Sequence, residues 1–134
     1  MTNKQLVAIV EDDQFFRESM GRLLRSLGYT VEAFASAADF LGSPRLAETA
    51  CPVADVQMPM MTGIELHRHL TRAGRAIPTI LVTAYPNDAD RVSVLKDGVI
   101  CYLRKPVDEE YLKKCLHAAL SLSGISAYET DRVS

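Results

Sequence analysis

Five short apolar runs, each separated from the next by a stretch of helical periodicity, constrain this chain more than any other feature. QLVAIV (5–10) is nearly continuous in apolar residues, as a strand buried on both faces must be. YTVEAF (29–34) alternates, CPVAD (51–55) and ICYLR (100–104) are short, and TILVTAY (79–85), marked at its start by Pro78, is the clearest strand. Between the first two runs, Phe16, Met20, Leu23, Leu24 and Leu27 recur at helical spacing until Gly28. Ser36 can cap a short helix bearing Ala37, Phe40 and Leu41, and Leu66, Leu70 and Ala73 repeat helically up to Gly74. Asn87 or Asp88 can cap a helix carrying Val92 and Leu95, closed by Gly98. Asp108 can cap a last helix, whose buried stripe is Leu112, Cys115, Leu116, Ala119 and Leu120.

Five strands alternating with five helices define an α/β fold, a five-stranded parallel sheet with helices on both faces. Right-handed crossovers make it doubly wound, with the flavodoxin-like strand order 2-1-3-4-5. In such a sheet, sites form at the carboxyl ends of the strands near the switch point, between strands 1 and 3. Pro52 lies inside the third run, where it removes a ladder donor. The third strand is therefore expected to begin late, near Val53, or to be distorted beside Asp55.

The totals exclude several classes. A chain of 134 residues is one domain with room for a core, and its net charge of −2 offers no global attraction to nucleic acid or to an anionic membrane. No apolar stretch approaches the roughly 20 residues of a membrane span. MTNKQLVAIVEDD meets acid too early for a secretory signal, which reads as a cytoplasmic protein. Cys51, Cys101 and Cys115 are odd in number and lack CxxC spacing, so they are expected as reduced, mostly buried thiols. His67 and His69, two apart, fall on different sides of a helix and are expected at the surface rather than on a metal.

The polar residues fall at one edge of the expected sheet. Strand 1 ends in Glu11-Asp12-Asp13, strand 3 in Asp55 and strand 4 in Thr83, and strand 5 runs into Lys105-Pro106. Each has an ordinary explanation alone: acids open helices, threonine forms strands, lysine sits in loops. Convergence at one edge is what independent accidents would not produce. Crowded carboxylates repel and need a counter-charge, and a small hard cation such as Mg²⁺ (or Mn²⁺) suits an oxygen-rich site. Glu11, Asp12 and Asp55 are the candidate acidic ligands, with the backbone carbonyl of Gln57 a fourth. A metal on one oxygen of Asp55 would leave the other as a nucleophile. Lys105 can pair with phosphate oxygens and the Thr83 hydroxyl can donate to a third. The site reads as one for making an aspartyl phosphate.

With VEDD, DVQMPMMTG, VTAY and YLRKP in place, the chain resembles the receiver domains of bacterial two-component response regulators, the CheY-like family. The resemblance covers about residues 4 to 121, and the spacing from Asp55 to Thr83 to Lys105 is most similar to FixJ-type receivers, which commonly precede a helix-turn-helix output domain. It implies that Asp55 is the phosphorylated residue, Glu11 and Asp12 the acidic pair for Mg²⁺, and Asp13 a less critical third acid. It implies that Thr83 is the switch hydroxyl, Lys105 the phosphate-binding lysine, and Tyr102 the aromatic switch that turns inward on phosphorylation. Lys105-Pro106 would be a cis peptide. Pro59 would stiffen the loop beside the pocket, Gly63 would adopt a backbone other residues resist, and the small Ala84 would leave room for a phosphodonor.

The function implied is a phosphoacceptor signalling domain, not an enzyme on other substrates. It would take its phosphoryl group from a sensor histidine kinase or a small donor and switch a helix 4/strand 5/helix 5 surface to control a partner or output domain, as in transcription regulation. Val92, Leu95, Val99, Val107 and Tyr111 are candidates for that surface, and weak self-association that strengthens on phosphorylation is expected. Residues 1–122 would be the receiver domain and 123–134 a polar tail or the start of a linker. Two other classes compete: a degenerate, phosphorylation-independent interaction module, and an aspartyl-nucleophile phosphatase. The phosphatase would carry a second acid two residues after its nucleophile, where Gln57 stands. A nucleotide-binding relative of the same fold would need a glycine-rich loop after strand 1, and none follows.

Overall fold

β1 (Leu6–Val10) pairs with β2 (Thr30–Phe34) on one side and β3 (Thr49–Asp55) on the other, and β4 (Ile80–Thr83) and β5 (Cys101–Arg104) extend the sheet beyond β3. All pairings are parallel and the order is 2-1-3-4-5. The computed structural model describes residues 5–133, with side chains described over 5–121. The helices are α1 (Gln14–Ser26), α2 (Ala37–Leu41), α3 (Gly63–Arg72), α4 (Asp88–Lys96) and α5 (Glu109–Val133), with a 3₁₀ turn at Leu46–Glu48. The stretch at 123–134, expected as a polar tail, falls outside the residues whose side chains are described. Among the described residues no helix is long and apolar enough to cross a membrane.

Strand alternation divides the interior in two. Val7, Ile9, Val53, Ile80, Val82 and Leu103 pack under Met20 and Leu24 of α1 and Leu112, Leu116 and Ala119 of α5. Ala8, Val10, Ala54, Leu81 and Tyr102 face the other way, under Phe40 of α2, Leu66 and Leu70 of α3 and Val94 of α4. Burying a leucine or isoleucine side chain stabilises by about 1.5–3 kcal/mol, so two such layers hold the sheet between its helices. Capping sets the helix starts: the side chains of Asp13, Ser36, Asn87 and Asp108 accept backbone N–H groups at 2.9–3.1 Å at the heads of α1, α2, α4 and α5. Thr62 and Glu65 form a capping box on α3.

Several local expectations are overturned. β3 starts at Thr49, not Val53, with Pro52 paired to Ala8 inside it. Pairing with β4 begins only at Val53, so upstream of that point β3 is an edge strand, where proline is tolerated. The distortion falls at Ala50, where the register against β1 shifts between Leu6 and Val7, and not beside Asp55. His67 is buried because it follows Leu66 on the inner side of α3, and burial lowers its pKa. Gly63 needs no positive φ; a Cβ there would stand 3.0 Å from the Asp55 carbonyl carbon and 3.1 Å from Leu81 Cδ2. The left-handed residue of that loop is Met60, at φ 72°. On α4 the residue facing inward is Val94, while Val92 and Leu95 are exposed; Tyr111 is exposed too, Val107 half-buried and Val99 in the core.

The cysteine expectation holds only for Cys51, which is free and buried, its thiol pushed up to about 12 by burial. Cys101 on β5 and Cys115 on α5 are paired as a disulfide, their Cα atoms 6.2 Å apart, because the packing of α5 on the sheet brings those two positions face to face. Protein purified without reductant and then denatured is expected to offer one reactive thiol of its three cysteines to a thiol reagent. Three reactive thiols would show that the pair is a reduced contact.

Candidate functional site

The parallel register assembles the site. Val10 stands opposite Ala54, so the next residues, Glu11 and Asp55, emerge side by side at the ends of β1 and β3. Glu11 is held there by its N–H, which donates to Phe34 O at 2.9 Å, and by its own carbonyl, which accepts from Arg17 Nη1 at 2.7 Å. Val56 N–H donates to Val82 O at 2.8 Å and Lys105 N–H to Thr83 O at 2.8 Å, which fixes the ends of β3, β4 and β5 level with one another. Lys105-Pro106 is cis, as the resemblance implies.

Glu11 and Asp55 are almost wholly buried. Lys105 Nζ lies 2.8 Å from Glu11 Oε1 and 3.5 Å from Asp55 Oδ1, and 4.2 Å from the centroid of the Phe16 ring. The second Glu11 oxygen, Oε2, accepts from Asp13 N–H at 3.1 Å. Burial pushes the Glu11 carboxyl up to about 7, against the lowering effect of its Lys105 hydrogen bond. Burial also raises Asp55, opposed by the charge of Lys105. Burial alone would lower the Lys105 ammonium, but the hydrogen bonds and negative charges of Glu11 and Asp55 together outweigh that and raise it.

One ammonium thus faces three carboxylates, since oxygens of Glu11, Asp12 and Asp55 lie within 4.8 Å of one another. Asp55 Oδ1 is buried and accepts no hydrogen bond. An all-oxygen donor set with an orphaned carboxylate oxygen and an exposed member, Asp12, fits a hard divalent cation. Both Glu11 oxygens already accept one bond each, so Asp12 and Asp55 are the freer donors and Glu11 would use its remaining lone pairs. Asp13 caps α1 and stands apart from this cluster.

The other expected residues ring this cluster. Thr83 is fully buried; its Oγ1 donates to Gln57 Oε1 at 2.7 Å and accepts from Tyr85 N–H at 3.0 Å. Ala84 and Pro59 are exposed. Tyr102 is already buried, its hydroxyl accepting from Asn87 N–H at 3.1 Å, with the Arg91 guanidinium 5.1 Å from its ring centroid. Sequence reasoning did not find the bond from Thr83 to the Gln57 side chain. It also missed Phe16, Arg17 and Arg91, whose contacts depend on helix placement that no motif encodes.

Residues 7–117 match the response regulator receiver domain family. This chain belongs to that family. It is 33% identical to the response regulator protein TodT of Pseudomonas putida over 129 residues, covering 96% of this chain and 57% of that protein. It is 32% identical over 125 residues to the transcriptional regulatory protein FixJ of Azorhizobium caulinodans, covering 93% and 59%. Among solved structures it is similar to the response regulator StyR (37% identity, TM-score 0.84, 97% of this chain and 67% of that one). The FixJ-N crystal structure is similar as well (28% identity, TM-score 0.80, 90% and 96%). The receiver described here spans little more than half the length of these curated relatives. It is a two-component signalling domain of the CheY-like fold, FixJ-type receivers being among its relatives, and receivers of this family typically interact with histidine kinases.

Asp55→Asn removes the carboxylate that the ammonium satisfies least, and leaves the Glu11–Lys105 pair intact. Without divalent cations the variant is expected to melt about 3–5 °C above wild type at pH 7.5, the shift that about 1 kcal/mol gives in a domain of this size. The sign follows from linkage: carboxyls raised by folding bind protons more tightly in the folded state, so their contribution is greatest at low pH. It is lost as pH climbs through the folded value, which burial raises for Asp55. The gap between the two proteins should therefore narrow as pH falls toward 3.8, the ordinary Asp55 value, because Asp55 is the carboxyl the variant lacks. Melting curves across pH check this; a variant less stable than wild type at every pH would refute the excess-charge account.

Proposed function

We propose that this receiver accepts a phosphoryl group on Asp55 and so controls a partner or output domain. The observation that carries the reading is a buried carboxylate whose Oδ1 lacks a hydrogen bond, set beside Glu11, Asp12 and Lys105. A divalent cation held by Asp12, Asp55, Glu11 and the Gln57 backbone carbonyl, Mg²⁺ or Mn²⁺, would supply the positive charge that makes an anionic donor acceptable there. The protein's own residues do the rest. An Asp55 oxygen attacks phosphorus, the bond from phosphorus to the donor's histidine nitrogen or acyl oxygen breaks, and the donor leaves with that electron pair. Lys105 stands where it can pair with the transferred oxygens, and Thr83 at the end of β4 where its hydroxyl can donate to another. The exposed Ala84 leaves the mouth of the site open to a donor.

The donor would be a sensor histidine kinase or a small acyl phosphate, and the protein cytoplasmic. Residues 1–122 would be the receiver unit and 123–134 a polar tail or the start of a linker. The net charge of −2 gives this chain no attraction of its own to DNA, so transcriptional control would lie with an attached or partner domain. The exposed Val92, Leu95 and Tyr111 support a weak homodimer through α4 and α5 as the response to phosphorylation.

Incubation with Mg²⁺ and acetyl phosphate is expected to add one phosphoryl mass to the intact wild-type protein and none to Asp55→Asn. No adduct on folded wild type would make the phosphorylation-independent module the better reading. Sedimentation of the same samples is expected to show a shift toward dimer on phosphorylation that Leu95→Glu abolishes. A monomer in every sample would remove the dimer claim.

A further inference from the structure

We infer that the Gln57 side chain is a latch on Thr83, and that releasing it is the step that couples phosphorylation to the switch. This rests on the reading of Asp55 as phosphoacceptor. The aromatic half of the expected rearrangement is already in place. Tyr102 is 3% exposed, its hydroxyl accepts from Asn87 N–H, and Arg91 lies over its ring with Nη1 3.4 Å from the Tyr102 carbonyl oxygen. This side chain is already enclosed and hydrogen-bonded. What remains to change is at Thr83.

A hydroxyl has one proton to give. That of Thr83 goes to Gln57 Oε1 at 2.7 Å, a carbonyl oxygen that can only accept, while Tyr85 N–H occupies the oxygen from behind at 3.0 Å. Thr83 is fully buried, so water cannot take over either bond. To donate to a phosphoryl group on Asp55, the hydroxyl must first give up Gln57. Gln57 itself is exposed and can turn out to solvent, where its amide is satisfied by water. The two arrangements exchange one hydrogen bond for another. Gln57 therefore subtracts from the affinity for a phosphoryl group by about the worth of one neutral hydrogen bond, acting as a positioning residue through Thr83.

The test uses beryllofluoride with Mg²⁺, a stable phosphoryl mimic, with affinity measured by calorimetry. Gln57→Met keeps length and removes the acceptor oxygen, at an exposed position where folding tolerates it; melting temperature verifies the fold. Gln57→Met is expected to bind about 3- to 10-fold more tightly than wild type, the range one such bond spans. In a Thr83→Val background the same substitution is expected to change nothing, because the bond is already gone. In the ligand-free protein the Tyr85 amide resonance should move on Gln57→Met, since its acceptor is then free to rotate. Equal affinities of wild type and Gln57→Met would overturn the latch and leave the phosphoacceptor reading standing. Tighter binding that persists in the Thr83→Val background would make Gln57 a cover over the pocket, not a latch. Failure of wild type to bind the mimic at all would sink the phosphoacceptor reading and the latch with it.

Discussion

A single ammonium group, Lys105 Nζ, stands against two buried carboxylates and is too little charge for both. The surrounding structure is arranged so that this imbalance cannot relax. The Lys105 N–H bond to Thr83 O holds the lysine at the end of β5, Phe16 floors its ammonium, and backbone hydrogen bonds at the ends of β1 and β3 hold the acids in place. A buried charge left short of partners is unstable wherever it occurs, and folds keep one only where something else is meant to arrive. In this receiver the deficit is positive charge, and the cluster of Glu11, Asp12 and Asp55 is one that a divalent cation could neutralise.

The split interior explains how so tense a site can exist in a small domain. Each strand contributes alternate residues to the two layers, so the sheet is anchored from both faces by leucines and valines of α1 and α5 on one side and α2 to α4 on the other. Those layers hold the strand ends as a rigid rim, and the polar residues beyond the last apolar position inherit that rigidity. α4 is the least buried of the long helices: of its residues only Val94 is buried, while Val92 and Leu95 face out. α5, by contrast, buries Leu112, Cys115, Leu116, Ala119 and Leu120 along its described length.

Much of this was legible in the residues because strand order is decided by alternation and the site by what stands at strand ends. Glu11, Asp12, Asp55, Thr83 and Lys105 could be placed together before any coordinates, since the parallel topology leaves them one edge to occupy. The errors share a cause. His67 was placed at the surface by its chemistry, but helix rotation about the axis, set by Leu66 and Leu70, decided its burial. Cys101 and Cys115 lie on different elements, and spacing along the chain says nothing of how α5 lies on β5. Gly63 was given a dihedral reason when its real constraint is a neighbour, the Asp55 carbonyl, which no local pattern encodes. The bond between Thr83 and the Gln57 side chain is hidden for the same reason, the two residues being 26 apart.

The register shift at Ala50 carries a consequence for how the chain can vary in length. Side chains alternate along a strand with a period of two, so one residue inserted or deleted between Val53 and Asp55 would turn the carboxylate to the wrong face. Upstream of Ala50 the same change need not propagate, because the irregularity there already takes up an extra residue on β3 against β1. The loop from α2 through Leu46–Glu48 is thus free to lengthen or shorten, and variation in it leaves the acidic rim untouched. The bulge works as an expansion joint, with a loop that can drift on one side and a site that cannot on the other.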